Sequence, residues 1–172
     1  MKIKYKNKGI LIWITGLSGA GKTSLAKGIK NKIAKSYGKT IILNGDDLRE
    51  IFDLNRYDRK ARLNYGRKYC KFLKFLTDQN VNVIFTVVGL FDELRNWNRK
   101  NIKNYVEVYV KAQISDIKRK KKKKVYYKKN QSLVGIQISP EFPKKPDIII
   151  KNDFKKTIKS LSLSLVKKIA LL

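Results

Sequence analysis

The chain has 172 residues, room for one domain with a single sizeable core. A hydrophobic content of 42% excludes a disordered chain, and no apolar run approaches the roughly 18 residues that span a membrane. The formal net charge is +28, a field that attracts polyanions. Yet 33 of the 41 basic residues are lysine, and arginine would rise with lysine if bidentate phosphate reading drove the charge. The excess therefore reads as a solvated lysine surface. A nucleic-acid-binding module using the Lys120 to Lys124 run is the competing class. No recognition helix or aromatic-interleaved motif accompanies that run. Cys70 is the only cysteine, so no internal disulfide forms and a reducing cytoplasm is the expected compartment. The basic stretch Met1 to Lys8 leads into a strand pattern and is not read as a signal peptide.

In chain order, Gly9 to Thr15 predicts a strand and Lys22 to Tyr37 an amphipathic helix. Thr40 to Leu43 predicts a second strand. Helices follow over Asp46 to about Phe52 and over Asp58 to Asp78, the latter with Leu63, Phe72, Leu73, Phe75 and Leu76 as core positions. Val81 to Val88 is a third strand, Leu90 to Ile102 a helix, Tyr105 to Val110 a fourth strand and Asp147 to Ile150 a fifth. Phe154 to Leu171 closes the chain as a helix. Its apolar run from Leu161 to Leu172 either packs on the sheet or pairs subunits in a homodimer. Alternating strands and helices with near-continuous apolar strands imply an α/β fold on a buried parallel sheet. The whole chain reads as one domain. The lysine-rich segment at about 117–133 breaks the pattern and reads as a solvated loop or a basic lid.

Gly16-Leu17-Ser18-Gly19-Ala20-Gly21-Lys22-Thr23 matches the phosphate-binding spacing G-x-x-x-x-G-K-[ST], with a strand before it and a helix after it. The three glycines let backbone amides turn toward a ligand, and the following helix adds its N-terminal partial positive charge. Lys22 is placed to reach the β- and γ-phosphates of ATP. Thr23 is placed to ligate Mg2+, and Ser24 completes the ATP-binding set. No Asn-Lys-x-Asp strand end of a GTPase is present, and the small size and late lysine-rich segment favour a small-molecule kinase. A P-loop protein that binds nucleotide without turnover is the third reading.

After the second strand comes Asn44-Gly45-Asp46-Asp47-Leu48-Arg49. A carboxylate at a strand's carboxyl end beside a P-loop lies where open α/β sheets bind ligands. Asp46 is the candidate base for an acceptor hydroxyl or a metal-side carboxylate, with Asp47 as helix N-cap. Alternatively both aspartates only cap the helix. Arg49, Arg59, Arg62 and Arg67 are half of the eight arginines and fall within twenty residues. They suggest an anionic acceptor, the alternative being a helix face paired with Glu50, Asp53 and Asp58. Tyr57 and Tyr65 lie among them, where an aromatic either stacks on a base or packs in the core.

With these motifs the chain resembles the adenylyl-sulfate (APS) kinase family over nearly its whole length. Trp13-Ile14-Thr15 followed by the P-loop is close to the family's opening motif, and Asn44-Gly45-Asp46 with Arg49 resembles its Asp-Gly-Asp-x-x-Arg element. Trp97-Asn98-Arg99-Lys100, Tyr126-Tyr127-Lys128-Lys129, Val134-Gly135-Ile136 and Pro143-Lys144-Lys145-Pro146-Asp147 resemble later segments. The resemblance implies a P-loop kinase fold, a three-layer sandwich on a mostly parallel five-stranded sheet. It implies transfer of the ATP γ-phosphate to the ribose 3′-hydroxyl of a nucleoside 5′-anhydride. Asp46 becomes the base or metal-side carboxylate, Arg49 and Arg62 contact the anhydride, and Tyr57 takes the family's aromatic position. Four departures fall on the acceptor half. Tyr65 stands where the family has Asn three residues after the arginine. Thr86 to Phe91, with Val88, Gly89 and Leu90 facing the acceptor, replaces Ser-Phe-Ile-Ser-Pro. Asn44 replaces the first aspartate. Around Tyr127 to Gly135 the chain is about five residues short of the family pattern. The same reaction on a different acceptor is the expectation.

Overall fold

The computed structural model describes residues 9–120 and 134–172. Five strands form one sheet: β1 (Leu11–Thr15), β2 (Thr40–Asn44), β3 (Asn82–Val87), β4 (Tyr105–Lys111) and β5 (Ile148–Lys151). Their order is β2-β3-β1-β4-β5 and every pairing is parallel. Leu11 stands opposite Val83 on one side and Tyr105 on the other. All five residues of β1 are buried, so its side chains cannot alternate between core and water. Such a strand reads in sequence as an unbroken apolar run, which is how LIWIT reads.

Among the described residues six helices cover the two faces: α1 (Lys22–Tyr37), α2 (Gly45–Ile51), α3 (Arg59–Asp78), α4 (Asp92–Asn101), α5 (Ile114–Arg119) and α6 (Ile158–Ile169). Leu25, Ile29 and Ile33 of α1 and Leu161, Leu165 and Ile169 of α6 pack with Ile10, Ile12, Ile14, Val106 and Val108. The opposite face of the sheet gives Leu11, Trp13, Val83 and Phe85 to Tyr69, Cys70 and Leu73 of α3, Leu94 of α4 and Ile117 of α5. Each large apolar side chain so buried contributes about 1.5–3 kcal/mol relative to exposure. The apolar spacing along α1, α3 and α6 selects the buried face of each helix.

Local signals set the boundaries. Asp58 caps α3, its carboxylate accepting from the Ala61 amide at 3.0 Å. Thr157 caps α6 by accepting from the Ser160 amide at 3.2 Å. That cap moves the start of the last helix from the expected Phe154 to Ile158, because Phe154 holds a left-handed φ of 63° that no helix accommodates. Likewise α4 starts at Asp92, after the extended Phe91. Within α3, Leu73 is fully buried and Leu63, Phe72 and Leu76 are half-buried, whereas Phe75 is 61% exposed. Phe75 falls opposite the buried face set by Tyr65, Tyr69 and Leu73, so its expected core position is corrected. The start of the 117–133 segment is helical, with Ile117 buried in α5, and the rest lies outside the described residues. The terminal apolar run packs on the sheet through Leu161, Leu165 and Ile169 and leaves Leu171 85% exposed. Among the described residues no helix is long and apolar enough to cross a membrane.

Candidate active site

The phosphate loop leaves the carboxyl end of β1, the central strand, where the chain departs to opposite halves of the sheet. That reversal opens a crevice. Gly16 (φ 149°) passes so close to β4 that a Cβ would meet the Val110 carbonyl oxygen at 2.5 Å. Gly21 (φ 98°) caps α1 in the left-handed region, and a Cβ there would meet the Asn152 amide nitrogen at 2.9 Å. Lys22 folds over the loop, its Nζ donating to the carbonyls of Gly16 (3.0 Å) and Leu17 (2.8 Å). Thr23 and Ser24 are exposed at the start of α1.

The loop borders a cleft of about 1020 Å³ that crosses the carboxyl edge of the sheet. Ser18, Gly19, Gly21, Lys22, Thr23 and Ser24 form its middle wall. Gly16, Leu17 and Ala20 stand behind that wall, with Ala20 and Leu17 buried.

At one end of the cleft, Asp46 is exposed on the first turn of α2. Asn44 is the N-cap of α2, so the expected capping role of Asp47 is corrected. The Asn44 amide donates to the Asp47 carboxylate at 2.5 Å, and its oxygen accepts from Thr86 at 2.6 Å. An aspartate could not make that donation, so Asn44 clamps β2 to β3 and to α2 with one neutral side chain. The Tyr69 hydroxyl donates to the Gly45 carbonyl at 3.5 Å from the cleft floor. Burial pushes the Tyr69 hydroxyl pKa up, so it stays protonated at neutral pH.

Arg49 and Arg62 both line this end. The Arg49 guanidinium lies 4.6 Å from the Tyr57 ring centroid and 5.3 Å from that of Tyr65. Its Nη1 donates to the carbonyls of Leu54 (3.2 Å) and Arg56 (2.9 Å), while its buried Nε has no partner among the described residues. The Arg62 Nε donates to the Tyr57 carbonyl at 2.7 Å. Burial, then the neighbouring Arg49 charge, lowers the Arg62 pKa against the pull of Tyr57, Asp46 and Asp58. Two guanidiniums that repel each other in a partly desolvated cleft favour an anion between them. The other arginines of this stretch do different work, and Arg56 pairs with its neighbour Asp58 at 3.1 Å. Arg59 pairs with Glu141 at 2.6 Å and Arg67 with Glu93 at 2.5 Å, neither with the nearby acids of the sequence. Tyr65 and Leu90 are buried and lie off the cleft wall, whereas Tyr57, Val88 and Gly89 lie on it.

The family model for adenylylsulphate kinase matches residues 8–151. The chain belongs to the adenylylsulphate kinase family. It is 35% identical over 170 residues to the cytidine diphosphoramidate kinase of Campylobacter jejuni, covering 96% of this chain and 99% of that one. It is 32% identical over 153 residues to the adenylyl-sulfate kinase of Clostridium acetobutylicum, covering 84% and 76%. In fold it is similar to the Mycobacterium tuberculosis APS kinase in complex with AMPPNP and APS, with a TM-score of 0.84 at 24% identity over 95% of this chain and 98% of that one. The chain is thus a phosphotransferase of the APS-kinase type on an all-parallel α/β sheet.

Several residues of this kinase that shape the cleft carry no motif. Asn152, just past β5, is buried, and its amide donates to the Ala20 carbonyl at 2.9 Å. Arg95 of α4 is buried and donates to the carbonyls of Gly89 (3.1 Å) and Glu141 (2.6 Å). It also pairs with Glu107 at 3.2 Å, and Glu107 with Arg99 at 3.1 Å. This network fixes the loop after β3, whose Val88 carbonyl accepts from Thr15 at 2.6 Å. Burial raises the Glu107 pKa despite both arginines. Trp13, Tyr69, Phe91 and Phe154 are further aromatic side chains on the cleft wall, Phe154 being the one that follows β5. Neither Arg95 nor Asn152 gave a sequence signal, because each holds its loop through backbone carbonyls. The Tyr126 to Lys129 match, and all of the lysine run except Lys120, lie outside the described residues.

Proposed function

We propose that this kinase transfers the γ-phosphate of ATP to the ribose 3′-hydroxyl of cytidine diphosphoramidate, a step serving capsular polysaccharide phosphoramidate biosynthesis in the cytoplasm. The observation that carries the reading is the contrast between the two halves of the cleft. The donor half keeps the full phosphate loop. The acceptor half departs from the adenylyl-sulfate pattern at Asn44, Tyr65 and Val88 to Leu90. A similarity that runs end to end with a cytidine diphosphoramidate kinase supports the same acceptor. The family itself supports the second reading, an adenylyl-sulfate kinase making 3′-phosphoadenylyl sulfate.

In this account Lys22 and the loop amides hold the β- and γ-phosphates. Arg49 and Arg62 grip the acceptor's anhydride, with Tyr57 packed against both guanidiniums. Asp46 accepts the proton of the 3′-hydroxyl and orients it toward the γ-phosphorus. Catalysis of this kind is mostly positioning and charge stabilisation. Thr23 and Asp46 both face the cleft, while the described residues hold no cluster of three or more acidic, histidine or cysteine ligands. A hydroxyl, a carboxylate and substrate phosphates suit Mg2+, which keeps its waters and avoids all-protein cages. When bound, Mg2+ neutralises charge on the phosphate oxygens.

An ADP-release assay across candidate acceptors tests the reading. Acceptor-dependent release is expected. Nucleotide binding without any release would leave a regulatory P-loop protein instead.

A further inference from the structure

Phe154 is an outlier in backbone conformation. Among the described residues three non-glycine positions have positive φ, and the other two are Asp53 and Asn80. Short polar side chains tolerate the left-handed region, but an aromatic one does so only where its surroundings over-determine it. Asn152 supplies that constraint. Its side-chain oxygen accepts from the Phe154 amide at 3.1 Å, while its nitrogen is committed to the Ala20 carbonyl of the phosphate loop at 2.9 Å. Its own backbone amide donates to Lys111 of β4 at 2.9 Å. The strained residue is thus fastened to the loop that holds phosphate.

Phe154 is half-buried, packed on one side against the core and lining the same cleft as Val134, Lys156 and Ile158. Ile158 Cδ1 is 3.9 Å from where a Gly21 Cβ would sit, so this wall adjoins the outer end of the phosphate loop. The sheet order fixes the direction. Asp46, Arg49 and Arg62 lie at the β2 end of the cleft, the loop at its centre on β1, and Phe154 past β5 at the other end. A triphosphate whose γ-phosphate points toward Asp46 therefore carries its base toward Phe154. Among the described residues Phe154 is the aromatic side chain on that wall, and both polar ends of the Asn152 amide are already spent.

We infer that Phe154 is the platform on which the donor nucleotide's base stacks, held out of helical geometry for that purpose. The inference rests on the donor half of the proposed function and stands whichever acceptor is used. Stacking a base on an aromatic ring changes affinity by about tenfold on alanine substitution.

The test needs no acceptor. The full chain with Mg2+ is titrated calorimetrically with ATP and, separately, with inorganic tripolyphosphate, which has no base. Phe154→Ala is expected to lower ATP affinity about tenfold and leave tripolyphosphate affinity unchanged. Phe154→Asn, whose side chain tolerates the left-handed region, should fold and behave as the alanine variant does. Phe154→Tyr and Phe154→Trp should keep the affinity for ATP. Equal losses for both ligands would make Phe154 a support for the loop and overturn the inference, as would unchanged ATP affinity in both the alanine and asparagine variants. Failure of the unsubstituted chain to bind either ligand would overturn the donor reading itself.

Discussion

The Asn152 side chain joins the last strand to the phosphate loop: its amide donates to the Ala20 carbonyl across 132 residues of chain. Removing it leaves a buried carbonyl unpaired and frees the Phe154 amide. A loss of this kind costs about 1–3 kcal/mol. Asn152→Ala should therefore lower the unfolding temperature by several degrees. It should weaken ATP and tripolyphosphate alike, since the loop itself loosens. Thermal unfolding and calorimetric titration check both.

Lys22 is bound to the carbonyls of Gly16 and Leu17 as well as poised over the cleft. Lys22→Ala should lower turnover by about 100-fold or more, the scale for losing a charged group aimed at the transferring phosphate. Its far-ultraviolet circular dichroism should match that of the unsubstituted chain. Near-normal turnover would remove ATP from the account.

Asp46 is exposed on the first turn of α2, and among the described residues no hydrogen bond ties it to the scaffold. Asp46→Asn should depress kcat far more than it depresses ATP affinity. Arg62→Lys keeps the charge but loses the fork, so it should raise the acceptor KM about tenfold with a smaller change in kcat. Steady-state kinetics with donor and acceptor varied separately give both numbers. Equal losses in ATP affinity and kcat for Asp46→Asn would make that residue structural.

Cys70 is buried against α4, and burial pushes its thiol pKa up to about 12. At pH 8 the thiolate, which is the reactive form, is nearly absent in the folded chain. Iodoacetamide should leave Cys70 unmodified in the native protein and label it fully in denaturant, as mass spectrometry reads directly. Rapid native labelling would show that the α3–α4 packing opens.

The order of strands and helices was legible because each strand is a buried apolar run and each long helix carries a clear apolar stripe. The phosphate loop was legible because its spacing, strand and helix are contiguous. What was not legible depends on contacts distant in sequence. Arg59 and Arg67 looked like anion readers, but Glu141 and Glu93 lie 82 and 26 residues away and pair with them. Asn44, read as a lost aspartate, proves to be a donor to Asp47 and an acceptor from Thr86. Phe75 was misplaced because neighbouring Phe72, Leu73 and Leu76 gave the helix two possible apolar faces. Asn152 and Arg95 hold loops through backbone carbonyls, and a carbonyl has no sequence signature.

The acceptor is the central claim, and a competition assay tests it most directly. The chain is supplied with ATP and equimolar cytidine diphosphoramidate and adenylyl sulfate, and the 3′-phosphorylated products are resolved by phosphorus NMR. The account predicts that phosphate appears on the cytidine compound. Phosphate appearing predominantly on adenylyl sulfate would contradict it.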